Sequence, residues 1–185
     1  YSADQLKAIA EVLRKYRVLA LSDEIYSGTH YTNEHESLAR YYPEGTIISN
    51  GLSKWCGAGG WRLGFFVFPD SLSWLANGMA AVASETFTAT SAPIQYAAVD
   101  ALQDLPEMDE YLQRSRQILA ELAGYSYRQL AAAGAELQPA RGGFYLFPRF
   151  ESRRDSLSAR GVSDGPSFCE RLLEETGVAV LPGNN

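Results

Sequence analysis

This sequence contains no run of about eighteen consecutive apolar residues, so no segment reads as a membrane-spanning helix. Cysteine and histidine are scarce. Cys56 and Cys169 stand far apart without Cys-x-x-Cys spacing, and His30 and His35 lack a cysteine or acidic partner at metal-ligand spacing. A disulfide framework and a metal centre are both excluded by that pattern, and the two thiols read as reduced cysteines of a cytoplasmic protein. Positive charge is short as well: 16 Lys and Arg face 22 Asp and Glu, for a net charge of -6. No basic run compensates, which argues against a nucleic-acid partner. The arginines of "RFESRRDSLSARG" (149–161) are interrupted by acids and serines, and the stretch reads as a solvated loop.

What is present is the composition of a soluble globular protein, 46% hydrophobic and 21% charged. Its 185 residues suffice for one domain, or for one domain and part of another. Ser2 and Gln5 form a capping box ahead of Leu6, Ile9, Ala10, Leu13 and Tyr16, which recur at helical spacing. Val18–Ser22, "TIISN" (46–50) and "LGFFVF" (63–68) are short unalternating apolar runs, the pattern of parallel strands covered on both faces. Asp70 is placed to cap a helix through Trp74, Leu75, Met79 and Val82, and further helices are expected over 94–102 and 108–133. Beyond them "AELQP", "GFYLFP" and "GVAVLP" read as short strands around a helix over 166–176. The change of texture places a domain boundary near residue 107, and no internal repeat appears.

In open α/β sheets, ligands sit beyond the carboxyl ends of the strands. Asp23 and Tyr26 fall at one such end, and Lys54 with a glycine-rich neighbourhood at another. Singly, each has an ordinary explanation: Asp23 a cap or surface acid, Tyr26 a packed aromatic, Lys54 a solvated amine, Arg62 half of a salt bridge. "GAGGWR" (57–62) fails both the dinucleotide and the P-loop templates, because the third glycine is missing and strand-like residues follow. Together, a carboxylate, a phenol, an amine and a guanidinium suit a phosphorylated pyridine aldehyde. The amine can form a Schiff base, the carboxylate keeps the ring nitrogen protonated, the phenol donates to the ring's phenolate oxygen, and the arginine grips the phosphate.

The combination "SDEIY", "SNGLSK" and "GWRLG", with Arg62 eight residues after Lys54, resembles the fold-type I pyridoxal-phosphate aminotransferases of class I/II. "TSAPIQYAAVDAL" (90–102) and "GGFYLFP" (142–148) resemble later landmarks of the same family, so the likeness spans essentially the whole chain. The resemblance implies an α/β fold: residues 1–107 as the latter part of a large cofactor-binding domain, a mostly parallel sheet with helices on both faces. Residues 108–185 would be an interdomain helix and part of a small α+β C-terminal domain. It implies pyridoxal 5'-phosphate as cofactor, Lys54 as Schiff-base lysine and proton carrier, Asp23 against the pyridine nitrogen, Tyr26 on the phenolate oxygen and Arg62 on the phosphate. It further implies amino acid and 2-oxo acid substrates and a homodimer, with "TATSAP" (88–93) as a segment reaching across.

The sequence departs from the pattern at Gly51, where many relatives carry a phosphate-binding serine; Ser53 is a possible substitute. The family's glycine-rich phosphate turn, ring-stacking aromatic and signature asparagine would precede Tyr1, and its carboxylate-binding arginine would follow Asn185. The expectation is therefore an internal fragment showing little or no turnover by itself. Within the same fold a C–S β-lyase or decarboxylase would present the same residues, and so would the sensor domain of an aminotransferase-like transcription regulator.

Overall fold

The computed structural model describes residues 1–32, 35–103 and 105–183. Two compact units are present, one comprising Tyr1–Leu119 with Arg141–Gly143 and the other Ala120–Ala140 with Phe144–Asn185. The first unit opens with α1 (Ala3–Tyr16), whose start is set by the capping box: Ser2 Oγ accepts from Gln5 N–H at 3.3 Å, and Gln5 Oε1 accepts from Ser2 N–H at 2.8 Å. Leu6 and Ala10 project from one face of α1 into a small core with Leu38 and Tyr42. On the exposed side, Arg14 makes a fork on Glu44, Nε to Oε1 at 2.6 Å and Nη2 to Oε2 at 3.2 Å, and also donates to Tyr41 O.

Arg14 holds the Glu44 carboxyl below its ordinary value, chiefly through their hydrogen bond. A depressed carboxylate contributes stability that is present above its unfolded pKa and is lost as pH falls through the folded one. The difference in melting temperature between wild type and Glu44→Gln is therefore largest near neutrality. It closes as the pH drops below about 4. A difference independent of pH between 7 and 3 would show that the ion pair contributes nothing.

Three strands form the sheet, in the order β1 (Ala20–Asp23), β2 (Thr46–Gly51), β3 (Gly64–Val67). β1 and β2 pair in parallel, with Asp23 opposite Ser49. β3, read from its sequence as another parallel strand, instead pairs antiparallel with β2, with Gly51 opposite Gly64. The reason lies in the connection. Residues 52–63 form a loop pinned across its mouth by Leu52 N–H to Leu63 O at 3.2 Å, so the chain re-enters the sheet at the edge it left. The expectation that these strands are covered on both faces also fails for β1: its burial alternates, and Leu21 remains 64% exposed because the chain's own described elements cover one face only.

The helices α2 (Ser73–Thr86), α3 (Ala92–Ala101) and α4 (Pro106–Ala132) follow. Asp70 does not cap α2. A 3-10 turn over Asp70–Leu72 intervenes, leaving Leu72 at the cap position with no side-chain bond. Both α3 and α4 begin slightly earlier than the apolar spacing suggests, at a proline in the first helical turn, where the missing N–H is harmless.

The second unit takes the later part of α4, then α5 (Arg154–Ser158) and α6 (Gly165–Thr176). The Asp164 carboxylate accepts from Ser167 N–H at 2.9 Å and starts α6. The strands expected here are absent among the described residues. Glu136 and Arg149 exchange two backbone hydrogen bonds as an isolated bridge, and the extended runs around 144–148 and 178–182 find no further ladder partner. The segment 149–161, read as a loop, contains a 3-10 turn and α5, with Arg154 paired to Glu151 at the surface.

Candidate active site

Parallel pairing of β1 with β2, and the return through 52–63 into β3, bring three chain segments to one edge of the sheet. Asp23 is the last residue of β1, Lys54 lies three residues past the end of β2, and Arg62 lies two residues before β3. Tyr26 follows in the turn after β1. All four sequence-predicted residues therefore gather at this edge, and their local settings differ.

Tyr26 and Lys54 meet directly. The Lys54 ammonium lies over the tyrosine ring, 5.6 Å from its centroid. Asp23 is exposed, and one of its oxygens accepts from Ile25 N–H at 3.3 Å. Arg62 is exposed too, with φ 58° and ψ 46°, and its Nη1 donates to Gly59 O at 2.7 Å. A left-handed backbone is unusual for any residue with a Cβ, and such strain concentrates at binding sites. Two glycines precede Arg62 in the same turn, yet the left-handed position itself carries the guanidinium.

The Lys54 loop is anchored by its neighbours. Leu52 is buried with Leu63 and with Ala98 of α3, and Trp55, Cys56 and Ala58 pack around them. Residues on both sides of Lys54 thus hold the loop to the fold while the amine projects toward Tyr26. The turn after β1 is locked against this loop at Gly28, where a Cβ would stand only 2.5 Å from Trp55 Cβ. Arg116 of α4 holds the same glycine by donating from Nε to its carbonyl at 2.9 Å. Gly28→Ala must therefore push two backbone segments apart, and we expect it to lower stability by about 1–3 kcal/mol. A denaturant midpoint equal to that of wild type would show that Trp55 yields without cost.

Two further close approaches shape the edge. A Cβ at Gly51 would lie 2.7 Å from Leu63 O and 3.0 Å from Gly64 Cα, so a serine at this position would collide with the backbone of β3. The departure from the pattern at Gly51 thus has a local steric cause. The "GG" of "GGFYLFP" pairs with the Tyr26 turn: His30 and Gly142 form an antiparallel bridge, and Gly143 N–H donates to Thr29 O at 3.1 Å. Tyr31 donates its hydroxyl to Gly143 O at 2.9 Å, and burial pushes that phenol's pKa up, which keeps it a donor. At Gly142 a Cβ would stand 3.0 Å from His30 Cα, and Gly143 has φ 67°, a left-handed backbone that suits glycine.

Sequence reasoning missed Gly28, Trp55 and Arg116, whose only signal is spatial. It also left Glu24 unexplained, although its alternation with Asp23 along β1 places the two acids on opposite faces.

The family model "Aminotransferase class I and II" matches residues 1–185. The chain is 34% identical to a probable N-acetyl-LL-diaminopimelate aminotransferase of Bacillus subtilis, over all of this chain and 43% of that protein. It is 33% identical to the aspartate aminotransferase of Geobacillus stearothermophilus, over all of this chain and 46% of that protein. Among solved structures, the aromatic aminotransferase of Pyrococcus horikoshii superposes with a TM-score of 0.87 at 30% identity, covering 100% of this chain and 47% of that one. Thermus thermophilus aspartate aminotransferase with maleate gives 0.86 at 29% identity, covering 99% and 45%. The chain spans less than half the length of these relatives. With all 185 residues matched and the fold shared at this level of identity, the chain belongs to the class I and II aminotransferase family.

Proposed function

We propose that the protein is a pyridoxal-phosphate-dependent aminotransferase that moves an amino group between an L-amino acid and a 2-oxo acid, with Lys54 as its covalent anchor. The observation that carries this reading is the Lys54 amine over the Tyr26 ring, at the sheet edge shared with Asp23 and Arg62. The donor set fits the cofactor: an accessible amine, a phenol beside it, an exposed carboxylate and an exposed guanidinium are the groups that aldehyde, phenolate, ring nitrogen and phosphate require. When bound, the cofactor supplies an electron sink that makes the substrate Cα proton labile.

The residues of the chain do the rest. Lys54 Nζ would hold the cofactor covalently, and its amine would take the proton from the substrate Cα. The Asp23 carboxylate keeps a proton on the ring nitrogen. Tyr26 donates its hydroxyl to the phenolate oxygen, and Arg62 neutralises the phosphate. Residues 1–107 serve as the latter part of the cofactor-binding domain, and 108–185 as the interdomain helix and part of the small domain. A cytoplasmic homodimer is the assembly we propose. Exposed apolar side chains such as Trp74, Phe87 and Tyr96 support the dimer.

The test is to load the intact protein with pyridoxal phosphate, reduce it with borohydride and map the label, then supply an L-amino acid with and without a 2-oxo acid. A label on the peptide containing Lys54, and product formation that requires the acceptor, support the reading. Keto-acid release without an acceptor would assign elimination instead, and absence of label would overturn cofactor binding.

A further inference from the structure

Glu24 has no part in the chemistry above, yet every polar group it owns is engaged at the site. The residue is 8% exposed. Its carboxylate accepts from Ser22 Oγ at 3.0 Å and Ser37 Oγ at 2.6 Å on one oxygen, and contacts His35 Nε2 at 3.0 Å on the other. Its N–H donates to Ser49 O at 2.9 Å, extending the β1–β2 ladder one residue past Asp23. Its carbonyl accepts from Ser27 N–H at 2.9 Å, closing the turn that carries Tyr26. Glu24 directly follows β1, with its carboxylate on the side of Ser22, while Asp23 alternates to the exposed side.

We propose that Glu24 is a positioning residue for the cofactor site. Its buried carboxylate, held by residues 22, 35 and 37, fixes the backbone from which Asp23 and Tyr26 are presented. The inference rests on reading those two residues as cofactor contacts. A buried carboxylate with donors from two segments has its direction set in three dimensions, which adds to the backbone bonds that close the ladder and the turn. The adjacent acids at the tip of β1 thus divide the work: Glu24 is desolvated and anchors the strand end, and Asp23 stays accessible to the ligand.

The experiment compares Glu24→Gln and Ser37→Ala with wild type in the intact protein, using pyridoxal phosphate as probe. Melting temperature, the cofactor dissociation constant and the visible circular-dichroism amplitude of bound cofactor are measured, the last two well below the melting temperature. Glu24→Gln still takes the borohydride label at Lys54, but its dissociation constant rises about tenfold, the scale of losing a group that orients a ligand contact. The dichroic amplitude falls as the ring loses its fixed seating. Ser37→Ala shifts both readouts in the same direction, by roughly fivefold in affinity. If melting temperatures fall while affinity and dichroism stay at wild-type values, Glu24 only holds the fold and the proposal is wrong. Should Glu24→Gln fail to fold, Ser37→Ala decides on the same readouts. Absence of label in wild type would sink the reading of the site and this inference with it; a labelled wild type matched by both variants would sink this inference alone.

Discussion

Lys54→Ala abolishes the borohydride-stable label and leaves the protein folded. The sequence has three lysines, and Lys7 and Lys15 both lie exposed on α1. The loop around position 54 owes its shape to Leu52, Trp55, Cys56 and Ala58 packed with Leu63 and Ala98. Among what the fold loses with the amine is its contact with the Tyr26 ring, about 0.5–1 kcal/mol, while the packing that shapes the loop is kept. Stability should therefore change little. On the proposed role of Lys54 as general base, its loss lowers the rate of amino transfer in the intact protein by about 10²–10⁴-fold. Lys54→Arg is the informative companion. It keeps a cation over the tyrosine ring but has no deprotonated form at working pH, so it restores the contact and not the label. Peptide mapping after reduction checks both variants, and a label persisting in Lys54→Ala would move the anchor to another nitrogen.

The second large effect separates binding from folding at one residue. Arg62 sits in left-handed backbone, which costs a residue with a Cβ about 1–2 kcal/mol and glycine nothing. Glycine returns part of that gain through its greater freedom in the unfolded chain, about 0.5–1 kcal/mol. Arg62→Gly therefore melts within a few degrees of wild type. Cofactor affinity behaves differently. A guanidinium bound to phosphate makes charge-assisted bonds, each contributing about 1.5–3 kcal/mol, so affinity for pyridoxal phosphate falls about a hundredfold or more. Arg62→Lys keeps the charge without the fork and lies between the two. Fluorescence titration with the cofactor, read beside a thermal melt, tests the pair. Equal affinity in Arg62→Gly and wild type would remove Arg62 from the phosphate site and leave its backbone conformation without a functional reason.

The placement of the four candidate residues near the strand ends was legible in the sequence, because they stand at close spacing beside apolar runs. Asp23 and Tyr26 are three residues apart on one turn, and Lys54 and Arg62 bracket one loop, so local geometry alone brings each pair near the strand ends. The start of α1 was legible for a similar reason: a capping box closes within four residues. Features that depend on a partner distant in sequence were not. The direction of β3 follows from where the 52–63 loop is pinned, and the apolar run of β3 is the same in either direction. The run of residues near 144–148 has strand-like composition, yet composition cannot supply the neighbouring N–H and C=O groups that a ladder needs. Asp70 has the chemistry of a cap, but an intervening 3-10 turn puts it out of register with α2.

By itself, then, the chain's sequence determined the start of α1 and the apolar runs that become β1, β2 and β3, since these rest on residues close along the backbone. Tertiary structure alone decided which acid of the Asp23–Glu24 pair is buried and which is left exposed. It also decided that Gly28 and Gly51 tolerate no side chain, and that Lys54 rests on Tyr26. Each of those outcomes depends on atoms brought within a few ångströms by folding, and no local pattern encodes a distance between segments tens of residues apart.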